Sequence, residues 1–173
     1  MKSKMKEYLF VDGYNIINAW NNLKSLTKVD LDASRNELIE IMAEYQAYTG
    51  IDVTIVYDAH LVKGSIEKKE NIKGVNVVYT KQRETADQYI ERQIDKIGKR
   101  KKVRVATSDW VEQQIVLGRG GTRISARELK IEVENAKKRM ERKNIRKNET
   151  NDMIMGRLDD ELIEKLNKWR NNQ

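Results

Sequence analysis

The chain of 173 residues contains no cysteine and a single histidine, His60. The first absence excludes disulfides and thiolate-held metals, and the second leaves no set of imidazoles on which zinc could be bound. Any metal here is held by oxygen. Long apolar runs are lacking as well: the N-terminus meets Glu7 and Asp12 before it builds the apolar core of a signal peptide, and no stretch is long enough to span a bilayer. The expectation is a cytoplasmic protein with no membrane partner. No glycine-rich loop carries the Lys and Ser or Thr of a P-loop, so neither ATP hydrolysis nor a nucleotide cofactor is expected. Proline, internal repeats and low-complexity tracts are missing too.

What the chain has is positive charge. Lys and Arg number 34 against 27 Asp and Glu, a net charge of +7, which favours nucleic acid, a ribosome or an anionic surface as partner. The surplus is local. Residues 119–147 hold eleven Lys or Arg against four Glu, so this segment equals the whole chain's excess. The length suits one domain with a real core, and the change of character sets the expected division: a domain over residues 1–126 and a basic helical extension over 127–173, packed on the same domain.

Apolar runs of strand length alternate with amphipathic segments of helical length, the pattern of a parallel α/β sheet. Strands are predicted at 8–11, 53–57, 75–79 and 103–106, with a short fifth at 122–125. Helices are predicted at 31–48, ended by Gly50, at 85–97, and after Asp109, where Val111, Ile115 and Val116 are the apolar positions. Residues 60–74 read as a charged loop with a short helix. The polar run 148–152 reads as a break, followed by a last helix with Leu158, Leu162, Leu166 and Trp169 on one stripe, suited to docking on the domain or on a partner.

Acidic residues stand where these strands end: Asp12, Asp58 and Asp109, with Glu84 and Asp87 opening the helix after the third strand. In an open parallel sheet those positions converge on the ligand-binding edge. Singly, each has a structural reading. Asp109 could cap a helix, Asp12 could sit in an Asp-Gly turn, Asp58 could end a strand, and Asn15 could make an Asx turn. Together they crowd negative charge on one edge, which is costly without a divalent cation such as Mg²⁺ or Mn²⁺. A haloacid dehalogenase phosphatase would need an acid where Tyr14 stands, and the paired acids and lysine of a receiver domain are not found.

Val11-Asp-Gly-Tyr-Asn15, Glu84-Thr-Ala-Asp87 and Thr107-Ser-Asp109, in that order and followed by a basic helical tail, resemble the YacP-like NYN family of PIN-like bacterial ribonucleases, which includes ribosome-associated mRNA endonucleases. The resemblance implies an α/β class fold, a PIN-like three-layer α/β/α sandwich with a central parallel sheet. It implies catalytic metal binding by Asp12, Asp87 and Asp109, with Asn15, Glu84 and Ser108 in support; Asp58 is not carried by the family pattern and is kept, from its place at a strand end, as a candidate outer ligand. It also implies mRNA as substrate and the ribosome as partner.

The chemistry such a site allows is metal-assisted phosphodiester cleavage, with Glu84 completing the shell or accepting a proton. Lys81, Arg83, Arg119 and Arg123, together with Ser108, are the expected RNA contacts around the acidic pocket. Lys137, Lys138, Arg139, Arg142 and Lys143 either reach a larger partner or form a solvated face. Trp110 and Tyr14 either stack a base or pack in the core. His60 has no partner in sequence and is read as incidental. Two other classes stay open: a non-catalytic RNA- or ribosome-binding module of the same fold, and a toxin-type nuclease restrained by a protein partner.

Overall fold

β-Branched and aromatic runs form the centre of a six-stranded sheet in this computed structural model, which describes residues 5–59 and 66–171. The elements in chain order are β1 (Glu7–Asp12), α1 (Gly13–Ala19), α2 (Asn21–Thr27), α3 (Leu31–Thr49), β2 (Asp52–Tyr57), β3 (Lys68–Ile72), β4 (Val75–Tyr79), α4 (Ala86–Ile97), β5 (Lys102–Ala106), α5 (Trp110–Gly118), β6 (Thr122–Ile124) and α6 (Ala126–Asn171). The spatial order is β3-β4-β2-β1-β5-β6. All pairings are parallel except β3 with β4.

β1, β2 and β4 are apolar almost throughout because helices cover both faces. On one side α1, α2, α3 and the first turns of α6 close over Leu9, Val11, Ile55, Tyr57 and Val77; on the other, α4 and Val116 of α5 close over Phe10, Val56, Val78 and Val105. This is a three-layer α/β/α sandwich. Trp20 locks the first layer by donating its indole N–H to the Ala126 carbonyl at 2.8 Å. α4 begins with a capping box in which Thr85 and Gln88 exchange hydrogen bonds, which fixes where its first turn starts.

Two expectations are corrected, and one unassigned stretch is found to be helical. Residues 68–72, read as loop, form the antiparallel edge strand β3, turned into β4 through Lys73 and Gly74, both at positive φ (51° and 90°) as a type I′ hairpin needs. The sequence Lys-Lys-Glu-Asn-Ile hides the strand because an edge strand is charged where a central one is apolar. Residues 13–27, not assigned above, form α1 and α2. The expected break at 148–152 does not exist: α6 runs unbroken from Ala126 to Asn171, since no proline interrupts it, and the Thr150 hydroxyl finds its partner inside the helix at the Arg146 carbonyl, 2.8 Å away. His60 and the start of the predicted 60–74 loop lie outside the described residues.

Two compact units are distinguished, Met1–Ala136 and Lys137–Gln173. The second is helical along its described length. Its N-terminal part carries seven bases from Lys137 to Lys147 against Glu141, its middle carries Glu149, Asp152, Asp159, Asp160, Glu161 and Glu164 against Arg157, and its end carries Lys165, Lys168 and Arg170, so charge alternates basic, acidic, basic along the helix. Leu158, Leu162, Leu166 and Trp169 are exposed. No described helix is long and apolar enough to cross a membrane.

Candidate active site

Four parallel strands deliver their C-terminal ends to one edge, and the acids collect there. Asp12 is the last residue of β1, Asp58 follows β2 on one side of β1, and Thr107 follows β5 on the other. Asp87 is the second residue of α4, brought over the edge by the turn from β4. That turn is fixed by Thr80, whose hydroxyl donates to the Glu84 carbonyl at 2.7 Å and accepts from Ala59 N–H at 3.1 Å. Glu112 is the third residue of α5. One carboxylate oxygen from each of Asp12, Asp87 and Glu112 lies within 4.8 Å of the other two.

Glu112 is the anomaly of this site. It is only 1% exposed, and neither carboxylate oxygen has a hydrogen-bond donor in bonding geometry. Its neighbours Asp12 and Asp87 are themselves acceptors when ionised, so contacts among the three hold only if a proton or a cation is shared. Burial first, then the charge of Asp12, push the Glu112 carboxyl up to about 10, against a smaller opposing effect of the Thr107 hydroxyl. Burial also raises Asp12 to about 6, with the charges of Asp87 and Asp109 adding to it. Asp87 is raised by burial and by the charges of Asp109 and Asp58. Three acids that resist ionisation side by side are what an oxygen-liganded divalent cation would relieve.

The supporting structure is built around Thr107. Gln113 donates its side-chain amide to the Thr107 carbonyl at 2.8 Å, and Arg123 donates to the Gln113 side-chain oxygen at 3.3 Å. Asn15 Oδ1 accepts from Ser108 N–H at 2.7 Å, tying the start of α1 to the loop that leads into α5. Ser108 Oγ accepts from Ala126 N–H at 3.3 Å, which joins that loop to α6. The segments that carry Asp12 and Glu112 are therefore tied together by hydrogen bonds to backbone, against the repulsion of their carboxylates.

Asp109 sits beside the triad but faces its own helix. Its Oδ1 accepts from Val111 and Glu112 N–H at 2.9 and 3.3 Å, an N-cap, while its charge still bears on Asp12 and Asp87. Glu84 is held by Arg92 through two hydrogen bonds at 3.1 and 3.2 Å and is outside the three-carboxylate cluster. Lys81 and Arg83 are exposed in the turn before α4. Arg119 pairs with Asp95 and Glu91 on α4, so its guanidinium is committed to protein carboxylates. Tyr14 packs on Tyr57 with ring centroids 5.0 Å apart, and its hydroxyl accepts from Arg35 at 2.7 Å.

Glu112 and Gln113 escape the sequence reading because α5 buries its polar side. The apolar positions Val111 and Ile115 suggest one face, yet Val111 is exposed while Glu112, Gln113 and Val116 point inward. The signal lies in the spacing: Glu112 and Val116 are four apart, so an acid shares the face of the one fully buried apolar residue.

Gly13 makes the cluster possible at its other end. A Cβ there would stand 2.3 Å from a ring carbon of the fully buried Tyr57. Gly13→Ala is expected to cost about 2 kcal/mol, lowering the melting temperature by roughly 5 °C in calorimetry, because a packed ring must move beside Asp12. An unchanged melting temperature would show that Tyr57 yields freely.

Comparison with known proteins agrees with this architecture. The profile of the YacP-like NYN domain matches residues 9–171. The Bacillus subtilis protein YacP is 45% identical over 167 residues, spanning 95% of this chain and 96% of its own length. The crystal structure of Rae1 (YacP) from Bacillus subtilis aligns with a TM-score of 0.71 at 43% identity, covering 94% of each chain. A single-substitution variant of the same protein aligns with a TM-score of 0.68 at 43% identity over 79% of this chain and 80% of its own.

Proposed function

Since the chain belongs to the YacP-like NYN domain family, a PIN-like nuclease family, we propose that it is a divalent-metal-dependent endoribonuclease that cleaves mRNA in association with the translating ribosome. The observation that carries the reading is the buried, donor-free carboxylate of Glu112 set against Asp12 and Asp87. An all-carboxylate donor set suits Mg²⁺ or Mn²⁺.

Asp12, Asp87 and Glu112 would hold the cation. When bound, it supplies Lewis-acid stabilisation of the charge that builds on the phosphoryl oxygens and lowers the pKa of the attacking water. The water oxygen joins phosphorus and gives up a proton to solvent as the bond to the leaving ribose oxygen breaks, and that oxygen takes up a proton from solvent. Asp109 fixes the first turn of α5 and with it the direction of Glu112. Asn15 and Ser108 keep the loops that carry Asp12 and Glu112 at a constant separation. Glu84, clamped by Arg92, steadies the approach to Asp87. Lys81, Arg83 and Arg123 neutralise RNA phosphates that the acidic edge would repel, while Arg119, paired to α4, holds the loop after α5. The exposed bases from Lys137 to Lys147 are the contact with the ribosome, and residues 1–126 are the catalytic module.

The test compares cleavage of labelled mRNA, with and without translating ribosomes, in Mg²⁺, Mn²⁺ and EDTA. Cleavage restricted to divalent ions and enhanced by ribosomes supports the reading. Equal cleavage of naked and ribosome-bound message would remove the ribosome from it, and metal-independent RNA binding with no cleavage would leave a binding module. Moderate salt is expected to weaken RNA binding steeply, and replacing Arg83 by Ala should reduce the log–log salt slope by about 0.7, as for one single-strand phosphate contact. Filter-binding titrations from 50 to 200 mM salt read this directly.

A further inference from the structure

We propose that Trp110 is a stacking platform for a nucleobase of single-stranded RNA, gripping the strand beside the carboxylate triad without touching the reacting atoms. The proposal rests on the nuclease reading for its substrate class and goes beyond it in naming the residue that meets a base.

α5 is inverted with respect to an ordinary surface helix. It buries Glu112 and Gln113, at 1% and 8% exposure, and leaves Trp110 and Val111 at 70% and 63%. A tryptophan at the start of a helix that packs on the sheet would ordinarily turn inward, and here the inward positions are taken by the acid of the triad and by the glutamine that anchors Thr107. The indole is left in water directly after Asp109. Two residues along a helix turn the side chain by about 200°, so Trp110 and Glu112 share one turn while facing opposite ways. The indole is thus turned away from Glu112, but it directly follows Asp109, whose charge bears on Asp12 and Asp87, so it stands at the border of the acidic cluster, where a nucleotide next to the scissile one would pass.

A base suits this position better than other occupants. The edge is crowded with carboxylates, so a strand held only through phosphates would meet repulsion at every step nearer the triad, whereas a base against an indole face is uncharged and tolerant of sequence. The other aromatic side chains at this edge are engaged: Tyr14 and Tyr79 are half-buried, with their rings on Tyr57. Bases in a duplex are hidden between their neighbours, so the platform selects unpaired RNA.

The test uses Trp110→Ala and Trp110→Phe with a fluorescent ten-residue oligoribonucleotide and the same sequence as a duplex. Binding is measured in an Asp12→Asn background that keeps the RNA intact, and steady-state cleavage is measured with Asp12 present. Trp110→Ala is expected to weaken single-strand binding about ten-fold, to raise KM by the same factor with kcat within about two-fold, and to leave the salt slope unaltered because no charge is lost. Trp110→Phe should recover most of the loss, and the duplex should not respond. An Ala variant that binds and cleaves as the wild type does overturns the platform while the nuclease reading stands. A loss carried by a changed salt slope, or shared equally by the duplex, also overturns it. A wild-type protein that cleaves nothing but loses its grip on single strands through Trp110→Ala overturns the nuclease reading and keeps the platform.

Discussion

Asp12→Asn is expected to cleave labelled mRNA at least about 10³-fold more slowly than the wild-type protein, and in EDTA to melt at the higher temperature of the two. Both results come from one geometry. Removing the carboxylate at the end of β1 deletes a ligand from a three-acid cluster, and losing a preorganised electrostatic partner of a transition state typically costs about 10²–10³ in rate, more when it positions the cation as well. In the metal-free protein the same carboxylate faces Asp87 and Glu112 across less than 5 Å, so a neutral amide removes repulsion and gives Glu112 an N–H donor it otherwise lacks. Paired cleavage assays and thermal melts with EDTA or Mn²⁺ check the two together. A variant that loses activity but melts lower in EDTA would mean that Asp12 holds the fold and that its effect on cleavage is indirect.

The second large effect is on stability against pH. Asp12 and Glu112 both have folded-state pKa values above their unfolded values, about 6 and about 10. Between the unfolded and folded values the native state binds more protons than the unfolded chain, so stability falls as pH rises. For Asp12 the fall begins near pH 4 and is complete above about pH 6, worth roughly 3 kcal/mol; Glu112 extends the fall through neutrality. The metal-free protein is thus expected to be more stable at pH 5 than at pH 8. A divalent cation replaces the missing protons, so Mn²⁺ or Mg²⁺ should raise the melting temperature more at pH 8 than at pH 5. Melting curves at both pH values, with EDTA and with each ion, would refute the linkage if the EDTA curves coincide.

How far the sequence discloses this structure depends on how each part earns its place. β1, β2, β4 and β5 are legible because strands buried on both faces must be apolar, and their C-terminal acids mark the edge by position alone. β3 is not, because at an edge the selection runs toward charge. The continuity of α6 is hidden by Asn148, Thr150, Asn151 and Asp152, residues of modest helical preference that weaken a helix without stopping it. Asp12 and Asp87 stand out as acids beside strand ends, and the structure brings their carboxylates together. Glu112 does not stand out, because a glutamate in the first turn of a helix is ordinarily a partner for the helix dipole. Only the knowledge that Asp109 already caps α5, and that Val116 faces inward, turns Glu112 toward the triad.

The separation of charge along the second unit bears on encounter rather than on grip. Beside a polyanion, the segment from Lys137 to Lys147 is drawn inward while the stretch from Glu149 to Glu164 is pushed away, and the two forces act at different points of one stiff helix. Such a helix feels a torque as well as an attraction. The pull is stronger at Lys137–Lys147 than at Lys165, Lys168 and Arg170, so the direction of approach is biased at long range toward the first of these, and the bias is lost when salt shortens the field to about 10 Å or less.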